Sequence, residues 1–359
     1  MMTRGGAAIS CALLSYPGLE EYMKITFINV GYGEAILIEL RETMPAYGPY
    51  TVMIDGGGNE EAEFAGHPQR IRAFEYLTKN GIKKIDLLIS THIHEDHTCG
   101  LLDIVRGTPI GEFWCNYEIP SGFEGVSLDV PNDSSESISK FIRAVNSYNE
   151  IYFELKKRGT AIRHIYGIQL GIKLKGGLST DILGPSEDDY KLLQKRMNHM
   201  YSLPGDGKKS DLFRKIDEWM NMVSIMLRFH YHGVRIFLPS DVNCKGYGHL
   251  AHSMDLVRAD IFKAAHHGQI DGITEELAMF IRPKIVVTCA SSDQRYNSSN
   301  SGTYEIIEKS AMDFGEEPVF LFTDNVRLKN YSDNIPPHHA AIIEIDDRTF
   351  KISCKYIYL

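Results

Sequence analysis

The chain has 359 residues, 43% of them hydrophobic and 24% charged, the balance of a globular protein with room for one large domain or two smaller ones. Its 38 Lys and Arg against 47 Asp and Glu give a formal charge of −9, which argues against a general nucleic-acid binder working through basic side chains on phosphate. No apolar run approaches the roughly 20 residues that span a bilayer, so no membrane partner is expected, and composition leaves the oligomeric state open.

Six cysteines (Cys11, Cys99, Cys115, Cys244, Cys289, Cys354) form no CxxC pair and read as free thiols of a cytoplasmic protein. Residues 1–22 do not read as fold. Arg4 before the apolar stretch Ala7–Leu14 gives a signal peptide as the alternative, but the pattern from Met23 looks like a natural start, so a disordered extension is expected. Strand patterns follow at 23–30, 35–40 and 50–55, broken by Gly31-Tyr32-Gly33 and closed by Gly56-Gly57-Gly58. Asp55 ends the third strand. A helix over 70–80 stops at Asn80-Gly81.

The apolar run Ile85–Ser90 then leads into Thr91-His92-Ile93-His94-Glu95-Asp96-His97. Four metal-ligand side chains within six positions, at the end of a buried strand, are hard to explain by packing. A buried imidazole needs its nitrogens satisfied and a dry carboxylate needs a counter-charge. A divalent cation answers both needs. His92 and His94, two apart in an extended segment, face the same way and suit one ion; Asp96 and His97 suit a second. The donor set favours zinc, with manganese or iron as alternatives.

A helix follows from Gly100, then a short strand at Phe113-Trp114-Cys115. Ser134–Arg158 has helical spacing (Ile138, Phe141, Ile142, Val145, Tyr148) and reads as a core or interface helix. Short strands return over 165–183. Residues 186–220 look helical and charged, interrupted at Leu203-Pro204-Gly205-Asp206-Gly207, with Lys208, Lys209, Arg214 and Lys215 read as a solvated face. Strands are expected at Met222–Phe229 and at Val234–Asp241. Another, Asp260–Ala265, runs into His266-His267-Gly268. Beyond the strand Lys284–Thr288 lies the polar loop Ser291–Asn297, a substrate rim on which Arg295 can grip a phosphate and Tyr296 is a further contact.

The segment Thr91–His97 resembles the HxHxDH signature of the metallo-β-lactamase superfamily. The resemblance implies an α/β fold, the four-layered αββα sandwich, with one or two metal ions in a cleft between the sheets. It implies that Leu238-Pro239-Ser240-Asp241 delivers an aspartate bridging both ions. His267 then takes the last ligand position, His266 faces the substrate and Asp55 supports the ligand layer. Asn29–Ala35, Asp55-Gly56-Gly57, Asp241 and Lys263–Gly268 narrow the likeness to the subgroup that includes the cytoplasmic hydrolase domain of ComEC-type DNA-uptake proteins. The similarity runs in order from about 24 to 325. It leaves 116–163 and 186–220 unexplained, and these are expected as helical inserts in a domain over 23–359.

One departure stands out. The first ion of the family has a third histidine that this chain lacks; Asn221 sits nearest the usual place. A single ion at Asp96, His97, Asp241 and His267 is therefore the alternative to a pair. The expectation is a metal-dependent hydrolase using a metal-activated water, with Asp96 or Asp241 orienting the nucleophile and His266 supplying a proton. The resemblance implies a phosphodiester substrate, a small anion or a nucleic acid. A carboxyl ester, thioester or lactam is the second reading, and a non-catalytic binding protein the third.

Overall fold

The computed structural model describes residues 22–41, 49–131, 134–203, 209–332 and 335–359. Of the expected extension, only residue 22 lies among them; residues 204–207 of the expected helix interruption and Lys208 of the basic cluster lie outside. The first part of the chain forms β1 (Tyr22–Ile28), β2 (Ile36–Arg41), β3 (Tyr50–Ile54), α1 (Glu61–Phe64), α2 (Ala73–Lys79), β4 (Ile85–Ile89), α3 (Glu95–Thr98), α4 (Leu101–Gly107), β5 (Ile110–Cys115), α5 (Glu136–Lys157) and β6 (Ala161–His164). Then come β7 (Gln169–Lys173), β8 (Ser179–Gly184), α6 (Glu187–Ser202), α7 (Lys209–Met220), β9 (Met226–Tyr231), β10 (Val234–Leu238) and β11 (Ile261–Lys263). The chain ends with α8 (Glu275–Ile281), β12 (Ile285–Thr288), α9 (Ser301–Met312), β13 (Val319–Phe322), β14 (Ala340–Asp346) and β15 (Ile352–Ile357).

These strands make two sheets, one ordered β15-β14-β1-β2-β3-β4-β5-β6 and the other β13-β12-β11-β10-β9-β8-β7. In each, an antiparallel portion is followed by parallel strands: β3 to β6 in the first, β10 to β13 in the second. Parallel neighbours need crossovers, and helices supply most of them. Alternation along the strands sorts side chains between layers. Ile25, Phe27, Ile38, Val52, Leu87 and Ile89 meet Leu227, Phe229, Ile236, Leu238 and Val287 of the other sheet. Outward residues of the first sheet, such as Met53, Leu88 and Phe113, lie under helices, as do Phe237, Phe262 and Val286 of the second. The result is helix, sheet, sheet, helix.

The stretches expected as inserts belong to the outer helical layer of the first sheet. In α5, Phe141, Ile142, Val145 and Tyr148 share a buried cluster with Leu193, Met197 and Met200 of α6 and with Phe213, Ile216 and Met220 of α7. The α5 N-terminus is capped by the Ser135 hydroxyl, which accepts from the Ile138 amide at 3.3 Å. The strand expected from Met222 begins instead at Met226. Residues Asn221–Val223 form a single 3-10 turn, and the Ile225 amide bonds the Thr91 carbonyl at 2.9 Å, turning the chain past the histidine-rich segment. Beyond about 325, where the family likeness ends, the domain expected over 23–359 continues. There β14 pairs antiparallel with β1, Ile25 opposite Ile343, and β15 completes that edge. Among the described residues no helix is long and apolar enough to cross a membrane.

Candidate metal centre

The parallel strands of both sheets end on the same side, and the turns after β3, β4, β10 and β11 carry the site. Asp55, Ser240, His266 and His267 all have positive φ, between 49° and 56°. Left-handed backbone costs a non-glycine residue about 1–2 kcal/mol, so four such positions mark turns held by their surroundings. The turn after β3 packs directly on the start of α4: a Cβ on Gly100 would stand 2.0 Å from the Gly56 carbonyl oxygen, so only glycine fits.

His97 Nε2 and His267 Nε2 lie 3.3 Å apart. Asp241 Oδ2 is 3.1 Å from the first and 2.8 Å from the second; Asp96 Oδ2 is 3.8 Å and 3.1 Å from them. Four ligand atoms on a tetrahedral zinc ion stand about 3.3 Å apart, so this quartet already has the edges of a coordination shell. A second pair stands beside it, His92 Nε2 and His94 Nδ1 at 3.1 Å, with the His92 and His97 rings 4.2 Å apart.

The far nitrogen of each imidazole is occupied. His97 Nδ1 bonds Asp55 Oδ2 at 2.7 Å, and His267 Nδ1 donates to the Cys289 carbonyl at 2.6 Å. His92 Nδ1 is 3.1 Å from the Thr91 hydroxyl and 3.3 Å from that of Ser240. His94 Nε2 is 3.2 Å from Asp217 Oδ1 on α7. With the outer nitrogens engaged, the inner nitrogens of His97 and His267 face the centre, the arrangement that metal-ligating histidines require once deprotonated. Asp55, His92 and His97 also come close enough to share an ion. However, both Asp55 oxygens are taken, Oδ1 by the Thr91 amide at 2.8 Å and Oδ2 by the Thr91 hydroxyl at 2.6 Å and by His97. Asp55 therefore stands behind the ligand layer.

Lys263, Glu34, Ser240, Thr91 and Asp217 were not singled out for the site by sequence reasoning. The Lys263 ammonium is buried, donating to Asp241 Oδ1 at 3.0 Å and to the Ser240 carbonyl at 2.8 Å, and pairing with Glu34. It holds one oxygen of Asp241 and leaves the other to the quartet. A lysine inside the short apolar strand β11 was the available signal, since a buried ammonium must find carboxylates.

The charges fit a cation. Burial alone lowers an imidazole's pKa. Asp241, Asp96 and Asp55 nonetheless push His97 well above the usual range, and Asp241 and Asp96 raise His267 to about 9. Burial alone would raise Asp241, yet His267, His97 and Lys263 hold it well below the usual carboxylate range. Asp96 is brought down to about 2, burial being outweighed by His97 and His267. Uptake of Zn or Mn at pH 7 must then displace protons from His97 and His267. Apparent affinity is expected to rise with pH, about tenfold per unit for each proton displaced, with the His267 contribution levelling off above about 9. Calorimetry in buffers of different ionisation enthalpy measures that release, and zero net release would contradict the assignment.

A cavity of about 560 Å³ opens onto His94, Asp96, Asp241 and His266. Glu60, Glu63, Glu95, Glu136, Asp217 and Glu218 line its walls, against the cations Lys140 and Arg295. Arg295, expected to grip a phosphate, is committed elsewhere: Nη1 pairs with Glu63 at 2.8 Å and Nη2 with Asp293 at 2.6 Å. It pins the rim loop, on which Tyr296 stands 62% exposed in left-handed conformation. His266, expected to face the substrate as a proton donor, bonds Asn221 and Asp271. It and His267 lie in a tight turn rather than a strand, and their left-handed backbones send the two rings to different partners.

Residues 35–153 match the family described as the metallo-beta-lactamase superfamily, and the two-sheet sandwich with its converging histidines and aspartates agrees. Over that segment the chain is similar to the superfamily. It is similar to ComE operon protein 3 of Bacillus subtilis (strain 168), 21% identical over 325 residues that cover 87% of this chain and 34% of that protein. The chain thus spans about a third of the length of this curated relative.

Proposed function

We propose that the protein is a metal-dependent hydrolase acting on a small phosphodiester such as a nucleotide. The observation that carries the hydrolase reading is the quartet Asp96, His97, Asp241 and His267, with ligand atoms within 4.8 Å of one another at the floor of an open cavity. A divalent cation, when bound, lowers the pKa of water and withdraws charge from a polarised oxygen. The chain's own part is to hold that chemistry still. Asp55, Thr91, Cys289 and Asp217 fix the imidazoles, Lys263 fixes Asp241, and the cavity walls admit the substrate.

The phosphodiester rests on the likeness to ComEC-type hydrolase domains. The walls carry more carboxylates than cations, which favours a small substrate over a polymer, although Glu60, Glu136 and Glu218 are paired with Arg143, Lys140 and Arg214. The same carboxylates favour, as a second reading, a less charged ester, thioester or lactam. The test is turnover, with Zn or Mn supplied, of a nucleotide phosphodiester, bis(p-nitrophenyl) phosphate, p-nitrophenyl acetate and a chromogenic lactam. Cleavage of the phosphodiesters alone supports the first reading, and cleavage of the acetate or lactam alone transfers it to the second. Less than about half an equivalent of metal after purification in zinc or manganese would support a binding protein instead.

A further inference from the structure

His92 Nε2 and His94 Nδ1 stand 3.1 Å apart, His94 at the cavity wall and His92 buried behind it, and the end of α7 comes up beside them. Asp217, which holds the outer nitrogen of His94, and Asn221, just past the end of α7, are four residues apart and so share a face of that helix end. The Asn221 amide nitrogen lies 2.9 Å from His266 Nε2. His266 Nδ1 in turn lies 2.8 Å from Asp271 Oδ1. A carboxylate only accepts, so Nδ1 carries the proton and Nε2 offers a lone pair; the amide must present its NH₂ there. Its oxygen is thereby turned the other way. That oxygen, Asn221 Oδ1, is buried with no hydrogen-bond partner, in a residue that lines the cavity with His94, Asp96 and Asp241. A buried carbonyl oxygen left unsatisfied is costly, and a divalent cation is a partner that suits it.

We propose that Asn221 Oδ1 is the third protein ligand of a first cation held by His92 and His94, and that Asp271 and His266 are positioning residues that set the amide's orientation. This rests on the hydrolase reading above and deepens it. The helical stretch before β9 then contributes twice to the centre, through Asp217 behind His94 and through Asn221 itself. His266 acts through Asn221 rather than on the substrate.

The experiment uses the full chain and metal alone, Mn or Zn, with equivalents counted by elemental analysis and calorimetry and the manganese pair read by its exchange-coupled EPR signal. Wild type is expected to bind two equivalents with a coupled signal. Asn221→Leu is expected to keep one equivalent, at the quartet, and to lose the coupling; the retained ion shows that the fold is intact. Asn221→Asp is expected to keep two. Asp271→Asn is expected to weaken the first ion at least tenfold and leave the second unchanged. If Asn221→Leu does not fold, Asn221→Gln, which displaces the oxygen by one methylene, is expected to lose the first ion instead. One equivalent in wild type overturns this inference alone, as does an Asn221→Leu or Asn221→Gln protein that still binds two with unchanged affinity. No metal in wild type overturns the hydrolase reading with it.

Discussion

Asp241→Asn is expected to lower hydrolysis by at least about a thousandfold and to reduce bound metal at neutral pH. Asp241 Oδ2 contacts both His97 and His267, while Oδ1 is held by Lys263. The amide removes the negative charge that the cation and Lys263 both face, and only its oxygen accepts, so one of the two sides meets an NH₂ donor instead. Metal-assisted charge stabilisation is worth several kcal/mol, which corresponds to a thousandfold or more in rate. Because the side chains are nearly isosteric, the fold should survive, with a thermal midpoint close to wild type. Rates on the phosphodiester panel, together with metal content, measure the effect. A loss of less than about tenfold at full metal occupancy would remove Asp241 from the centre of the reaction.

Arg70→Met is expected to be the most damaging change outside the ligand set, destabilising the protein by about 3–5 kcal/mol. The Arg70 side chain is 1% exposed, and every edge of its guanidinium is used. Nε donates to Asp324 at 3.0 Å, Nη1 to the Glu63 carbonyl and carboxylate at 2.9 and 2.8 Å, and Nη2 to Ser292 at 3.2 Å. Asp324 is fully buried, and Arg70 is its cationic partner. Removing one member of a buried charge pair leaves the other uncompensated, which costs more than the pair ever contributed. Glu63 would keep Arg295, so the Asp324 side suffers most. The network joins the loop before α2 to the loops after β12 and β13, so activity should fall with stability. Thermal unfolding reads the result; a shift of less than about 2 °C would show that the ion pairs are surrounded by enough water to relax.

Much of the centre was legible because its residues are concentrated where strands end. Ligand-type side chains on the turns after β4, β10 and β11 stand out against apolar runs, and the strand periodicity places them at one edge. The helix α5 was equally legible from its stripe. What escaped depends on contacts that local pattern does not encode. The commitment of Arg295 to Glu63 joins positions far apart in sequence, and a solvent-facing arginine in a polar loop looks free until the fold is known. Lys263 read as one polar residue in a strand, because its partner Glu34 lies at the other end of the chain. The helices α6 and α7 read as appended, since their charged faces dominate the composition. Their buried faces close the layer over the first sheet, and the turn after α7 reaches the histidines.

The pairing of β14 with β1 sets a schedule for biogenesis. Strand β1 leaves the ribosome long before one of its two neighbours is made, the strand that sets Ile343 opposite Ile25. Until then β1 offers an open, apolar edge to any extended chain nearby. Closing so long a loop is entropically slow. Until that neighbour is made, the nascent polypeptide carries an uncovered edge that favours misassembly.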